Sequence, residues 1–141
     1  MTFITDRSLE AVQKVKQGAT DEETLFRGTL RPKDFQRWKE ALTIINAETS
    51  LPDITKDTQI NCTDPTREIT NIPDYSEGTI TPTNDCWYYW KAINDLKNNL
   101  PEDSGVDVRW FPSSMERLTF ANVNALEAVI EYWYNYYNSI V

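Results

Sequence analysis

The stretch Thr119-Phe120-Ala121-Asn122-Val123-Asn124-Ala125-Leu126-Glu127-Ala128-Val129-Ile130-Glu131-Tyr132-Trp133-Tyr134-Asn135-Tyr136-Tyr137-Asn138 decides the fold class. Its apolar residues recur at three- and four-residue steps, which predicts a long helix from Thr119 to about Asn138. Leu126, Ile130, Trp133 and Tyr137 form the centre line, with Val123, Val129, Tyr136 and Ile140 alongside. Tyr132 and Tyr134 widen the stripe to both sides. At about 100° per residue the apolar arc spans about 200°, twice what packing against one neighbour requires. Such a helix is either central in its fold or shared with a partner.

The entry to this helix is repeated earlier in the chain. Leu118-Thr119 followed by Asn122 and Val123 matches Leu30-Arg31 followed by Asp34 and Phe35. In both, a leucine ahead of the cap can staple onto an apolar residue of the first turns. The Asp or Asn at the third helical position can reach back to free backbone donors. The earlier helix opens at Pro32, where the first turn tolerates proline, and runs to about Ala47. Phe35, Trp38, Ala41, Leu42 and Ile45 form its stripe.

Two further helices complete the prediction. One runs from about Ser8 to Gln17, with Thr5 or Asp6 as cap, Leu9, Val12 and Lys16 on one face, and Gly18 closing it. Thr20-Asp21-Glu22-Glu23 reads as a capped turn leading to Leu25 and Phe26. The other begins near Thr83 and stops by Pro101, with Cys86, Tyr89, Trp90, Ile93, Leu96 and Leu100 on one side and Tyr88 pointing away. Between residues 48 and 83 the chain turns threonine- and proline-rich, a long loop with short strands possible at 68–70 and 78–81. Val106-Asp107-Val108-Arg109-Trp110 alternates like a strand. The expected fold is mainly α: a four-helix bundle-like single domain with a long Thr/Pro-rich loop and one or two short β-strands. Its parts are an N-terminal helical hairpin (1–47), a loop-rich insert (48–83) and a C-terminal helical part (84–141).

Composition narrows the function. The 141 residues include 14 Lys+Arg against 22 Asp+Glu and no histidine, for a formal charge of -8. Without histidine there is no Ser-His-Asp or Cys-His catalysis and no His metal site. A strongly acidic chain lacks the basic footprint of a general nucleic-acid binder. No stretch approaches the roughly 20 apolar residues of a membrane span, and Met1-Thr2-Phe3-Ile4-Thr5-Asp6-Arg7 turns polar too soon for a secretory signal. Cys62 and Cys86 form no CxxC pattern and read as reduced thiols. The acid pairs Asp53/Asp57 and Asp103/Asp107 lack calcium-loop spacing and read as solvated loop acids. No catalytic, metal or cofactor residues are assigned, and the expectation is a protein that is not an enzyme.

What remains is a wealth of aromatic rings: five tryptophans, seven tyrosines and five phenylalanines. Those at helical spacing fill a core, but Tyr88, Tyr132 and Tyr134 are not accounted for in that way. Aromatic and arginine side chains supply the hot spots of protein interfaces. Arg27, Arg31, Lys33, Arg37 and Lys39 cluster around the second helix, whereas the excess acid lies after residue 50. Such a charge-polarised molecule is suited to docking on an oppositely charged neighbour or to self-association. The interface candidates are Arg31, Lys33, Arg37, Tyr88, Tyr132, Trp133, Tyr134 and Tyr136.

Three segments carry a resemblance. They are Ile4-Thr5-Asp6-Arg7-Ser8 continuing through Val12 and Val15-Lys16, Arg27-Gly28-Thr29-Leu30 through Asp34-Phe35-Gln36-Arg37-Trp38, and Pro112-Ser113-Ser114-Met115-Glu116-Arg117-Leu118-Thr119 through Asn122-Val123-Asn124-Ala125-Leu126-Glu127. In order and spacing the chain resembles small structural proteins encoded in the tail and baseplate gene clusters of phages and prophages of Gram-positive bacteria. Lys39 departs from the pattern, standing where that family usually has Glu. The resemblance implies a virion structural protein, made in the host bacterial cytoplasm and placed in the tail, with other tail or baseplate proteins as partners. It carries no enzymatic motif, and with the charge and hydropathy above the expectation is no cofactor, no nucleic acid and no membrane insertion. The alternatives are a receptor- or glycan-binding module at the tail tip, contacting the host cell surface, and an acidic inhibitor mimicking a nucleic-acid surface. The scattered acids do not favour the last.

Overall fold

The computed structural model describes residues 1–45, 50–53, 85–113 and 118–140. Among them the chain is mainly helical, with five helices and no strand: α1 (Leu9–Lys16), α2 (Glu22–Gly28), α3 (Pro32–Ile44), α4 (Asp85–Asn98) and α5 (Phe120–Ile140). The candidate strands at 68–70 and 78–81, the Thr83 cap and Cys62 lie outside the described residues.

Local chemistry explains most boundaries. Ser8, and not Thr5 or Asp6, caps α1, its hydroxyl accepting from the Ala11 N–H at 3.2 Å. Gly18, at φ +98°, ends α1 in the left-handed conformation that glycine adopts cheaply. The Gly18 N–H then reaches the Val15 carbonyl and the Ala19 N–H that of Lys14, satisfying the last turn. The turn expected at Thr20–Glu23 is the start of a fifth helix, α2. Asp21 caps it, accepting from both the backbone and the hydroxyl of Thr24, which holds its carboxyl below the usual range. α2 is held against α1 at Gly28, where a Cβ would lie 2.7 Å from both the Ala11 carbonyl oxygen and Val15 Cγ2.

The repeated helix entry forms as expected. Asp34 Oδ2 accepts from the Arg31 N–H at 2.7 Å, and Asn122 Oδ1 from the Thr119 N–H at 2.8 Å. Leu30 and Leu118 are buried in the same core as Phe35 and Val123. The strand expected at 106–110 does not form. Asp107 Oδ1 instead accepts from the Arg109 N–H, and the Phe111 N–H closes a turn on the Val108 carbonyl. With no strand beside it among the described residues, the local side-chain turn prevails.

α3 packs on α4 and α5, α4 packs on α5, and α1 pairs with α2. The core joins Val12 of α1, Phe35, Trp38, Ala41 and Leu42 of α3, Tyr89 and Ile93 of α4, and Val123, Leu126, Val129 and Ile130 of α5. Phe35 is its aromatic centre, edge-on to Trp38 at 5.0 Å and to Tyr89 at 5.2 Å. Two half-buried indoles direct their N–H groups onto backbone carbonyls: Trp90 onto Pro112 and Trp133 onto Leu96, each at 3.0 Å.

Candidate protein-protein interface

The candidate residues divide into two groups. The basic ones are largely consumed within the molecule. Arg31 is only 6% exposed and grips Glu22 with two nitrogens, at 2.8 and 3.2 Å. Lys33 shares the same carboxylate at 2.6 Å. These contacts hold the Glu22 carboxyl down to about 2, with the hydrogen bond from Arg31 the largest cause. Arg27 pairs with Asp6, and Lys39 with Asp53. The basic cluster is therefore not an open positive face, because its charges are answered by acids of the same chain.

Arg37 leads into a charge cluster that the sequence did not reveal. Its Nη2 lies 2.6 Å from Asp34 Oδ1 and 2.8 Å from Glu127 Oε1. Burial works against its charge, but Glu127 and Asp34 outweigh that and raise its pKa. Glu127 has no solvent exposure. Its Oε1 also accepts from the Trp38 indole at 2.6 Å, and its Oε2 from the Ile4 N–H at 2.6 Å and Arg7 Nη1 at 2.9 Å. Arg7 is equally enclosed and donates to the Thr29 and Ile4 carbonyls. Its Nη2 sits 3.4 Å from Asp34 Oδ1, close enough for an ion pair but outside hydrogen-bond geometry. Asn124 completes the arrangement by clasping the backbone of Arg7, accepting from its N–H and donating to its carbonyl, both at 2.9 Å.

Two carboxylates thus face two guanidiniums, with Arg7, Asp34 and Glu127 buried and Arg37 at the edge, and almost every carboxylate lone pair is used. The cluster fastens the non-helical residues 4–7 to both α3 and α5. Sequence reasoning missed it because ionised side chains are rarely buried. One signal was present: Glu127 lies three and four residues from Ile130 and Val123, inside the apolar stripe.

The aromatic candidates remain near the surface. Tyr88 is 49% and Tyr136 48% exposed, and Tyr132 is half-buried. Tyr132 stacks on Tyr136 at 6.5 Å, and both meet Trp133 edge-on, at 5.2 and 5.4 Å. Trp133 and Tyr134 also pack on the core, Tyr134 against Phe3 at 5.4 Å. Trp110, which was not among the candidates, is the most exposed ring among the described residues, at 58%. Among the described residues no group of three or more acidic or cysteine side chains is placed to hold a metal, and no helix is long and apolar enough to cross a membrane. No protein-family model, curated protein or solved structure matches the chain.

Proposed function

We propose that this chain is a non-enzymatic structural component of a phage tail or tail-like particle, joining or decorating tail and baseplate proteins through protein-protein contacts. In this reading it is one bundle-like domain with residues 48–83 as a loop-rich insert, made in the host cytoplasm and incorporated into the virion.

One observation carries the proposal. The three segments of resemblance supply Ile4 and Arg7, then Asp34, Arg37 and Trp38, then Asn124 and Glu127, which all meet in one buried cluster. The likeness therefore falls on residues that hold the molecule together, and this supports the reading. The exposed rings of α5 supply a surface of the kind that protein partners use.

Mass spectrometry and antibody labelling of purified particles test the reading. The protein is expected at a fixed copy number per tail, and its absence from intact particles would refute the assignment. The exposure of Trp110 favours a second reading, the receptor- or glycan-binding module. That reading requires binding to host cell-wall preparations that is lost on Trp110→Ala.

A further inference from the structure

A groove of about 510 Å³ runs between the 104–107 turn and the C-terminal half of α5. Its volume falls within the roughly 300–1,000 Å³ typical of sites that take a ligand or side chains. Tyr132 and Tyr136 form one wall, stacked nearly parallel at 14°. Val106 and Ala128 line it, and its charges come from Asp107 and Glu131. Asp107 is answered by Arg109, whereas among the described residues Glu131 has no ion pair. No lysine or arginine lines the groove.

A tyrosine face beside an uncompensated carboxylate is the chemistry that receives a cation carried on an aliphatic stem. The ring attracts the charge and packs against the methylenes, and the carboxylate fixes the head group. An acidic or purely apolar occupant would leave Glu131 repelled or desolvated. We propose that this groove receives a lysine- or arginine-bearing segment of a neighbouring protein in the particle. The proposal rests on the assembly reading above and names the partner's chemistry.

The test uses the isolated full-length chain and the ring NMR signals of Tyr132 and Tyr136. The probes are a decapeptide of alternating arginine and leucine and its counterpart with glutamate in place of arginine. The arginine peptide is expected to shift both tyrosines saturably, with affinity falling as salt rises. The glutamate peptide should bind at least ten-fold more weakly. Glu131→Lys and Tyr136→Ala should each weaken arginine-peptide binding about ten-fold in a folded protein. Unmoved tyrosine signals, equal binding of both peptides, or affinity unchanged in both variants would overturn the proposal. So would tyrosine shifts that follow protein concentration alone, since they would make a second copy the occupant. Failure here in a protein found in particles removes the groove assignment only, whereas absence from particles removes the assembly reading and leaves the peptide result intact.

Discussion

Glu127 has no solvent exposure and four donors around it, and each donor comes from a different residue: Ile4, Arg7, Arg37 and Trp38. A buried ion pair adds little net stability over an apolar pair of the same shape, but removing one member leaves the others uncompensated. Glu127→Ala is therefore expected to lower the unfolding free energy by about 3–5 kcal/mol in urea titrations. Replacing Arg7 and Glu127 together with apolar residues should cost less than the two single changes summed. Strict additivity would show that the two charges do not interact. At the surface, Glu22 has its carboxyl lowered to about 2 by Arg31 and Lys33, against an unfolded value near 4.5. A depressed carboxyl binds fewer protons when folded, so its contribution is complete above about pH 4.5 and is lost as the pH falls toward 2. Glu22→Gln should flatten the acid limb of the stability curve in that window and change little at pH 7. An unchanged limb would mean that the pair is fully screened in solution.

At the scale of elements, the sharpest constraint is the contact between α1 and α2. Alanine at a helical position ordinarily gains up to about 1 kcal/mol over glycine. At Gly28 the added Cβ would meet a backbone oxygen at 2.7 Å, which no rotamer change relieves. Overpacking of this kind costs about 1–3 kcal/mol, so the steric penalty should win. Gly28→Ala is expected to destabilise the protein in thermal unfolding, and a stabilised variant would show that α2 is free to slide. The α1–α2 pair also marks where local reading stops. The periodicity of α3, α4 and α5 was legible because long amphipathic helices repeat their pattern several times. α2 has only seven residues and was visible only as a cap at Asp21, because its continuation depends on a neighbour. Conversely, Val106, Val108 and Trp110 alternate without a partner strand among the described residues, and the Asp107 side chain bends the backbone into a turn.

At the scale of the whole molecule, the central cluster joins residues about 120 positions apart, such as Arg7 and Glu127. No one-dimensional pattern encodes that pairing. The helix entries at Asp34 and Asn122 were legible because each cap closes within three residues, and the exposed Tyr88 and Tyr136 were among the candidate rings, whereas Trp110 was not and Tyr134 packs on the core. The internal use of Arg31 and Arg37 was not, because each segment viewed alone looks like a solvated charged face. The same geometry makes residues 1–7 part of the interior support even though they form no helix. Deleting them would remove the Ile4 N–H, the Arg7 guanidinium and the Phe3 contact with Tyr134, leaving Arg37 as the remaining cation of the cluster beside Glu127 and Asp34, with the Trp38 indole and the Arg31 N–H as their neutral donors. The truncated chain is expected to lose cooperative thermal unfolding by circular dichroism, and the first half of α5 should lose amide protection in hydrogen exchange. Removing residues 139–141 should stay within about 0.5 kcal/mol, since Ser139 and Ile140 are exposed. If the damage comes from a stranded charge, Glu127→Leu in the truncated chain should restore part of the lost stability, because it removes a carboxylate that has lost two of its four donors. A truncated chain that unfolds at the full-length midpoint would show that the cluster does not hold the fold together.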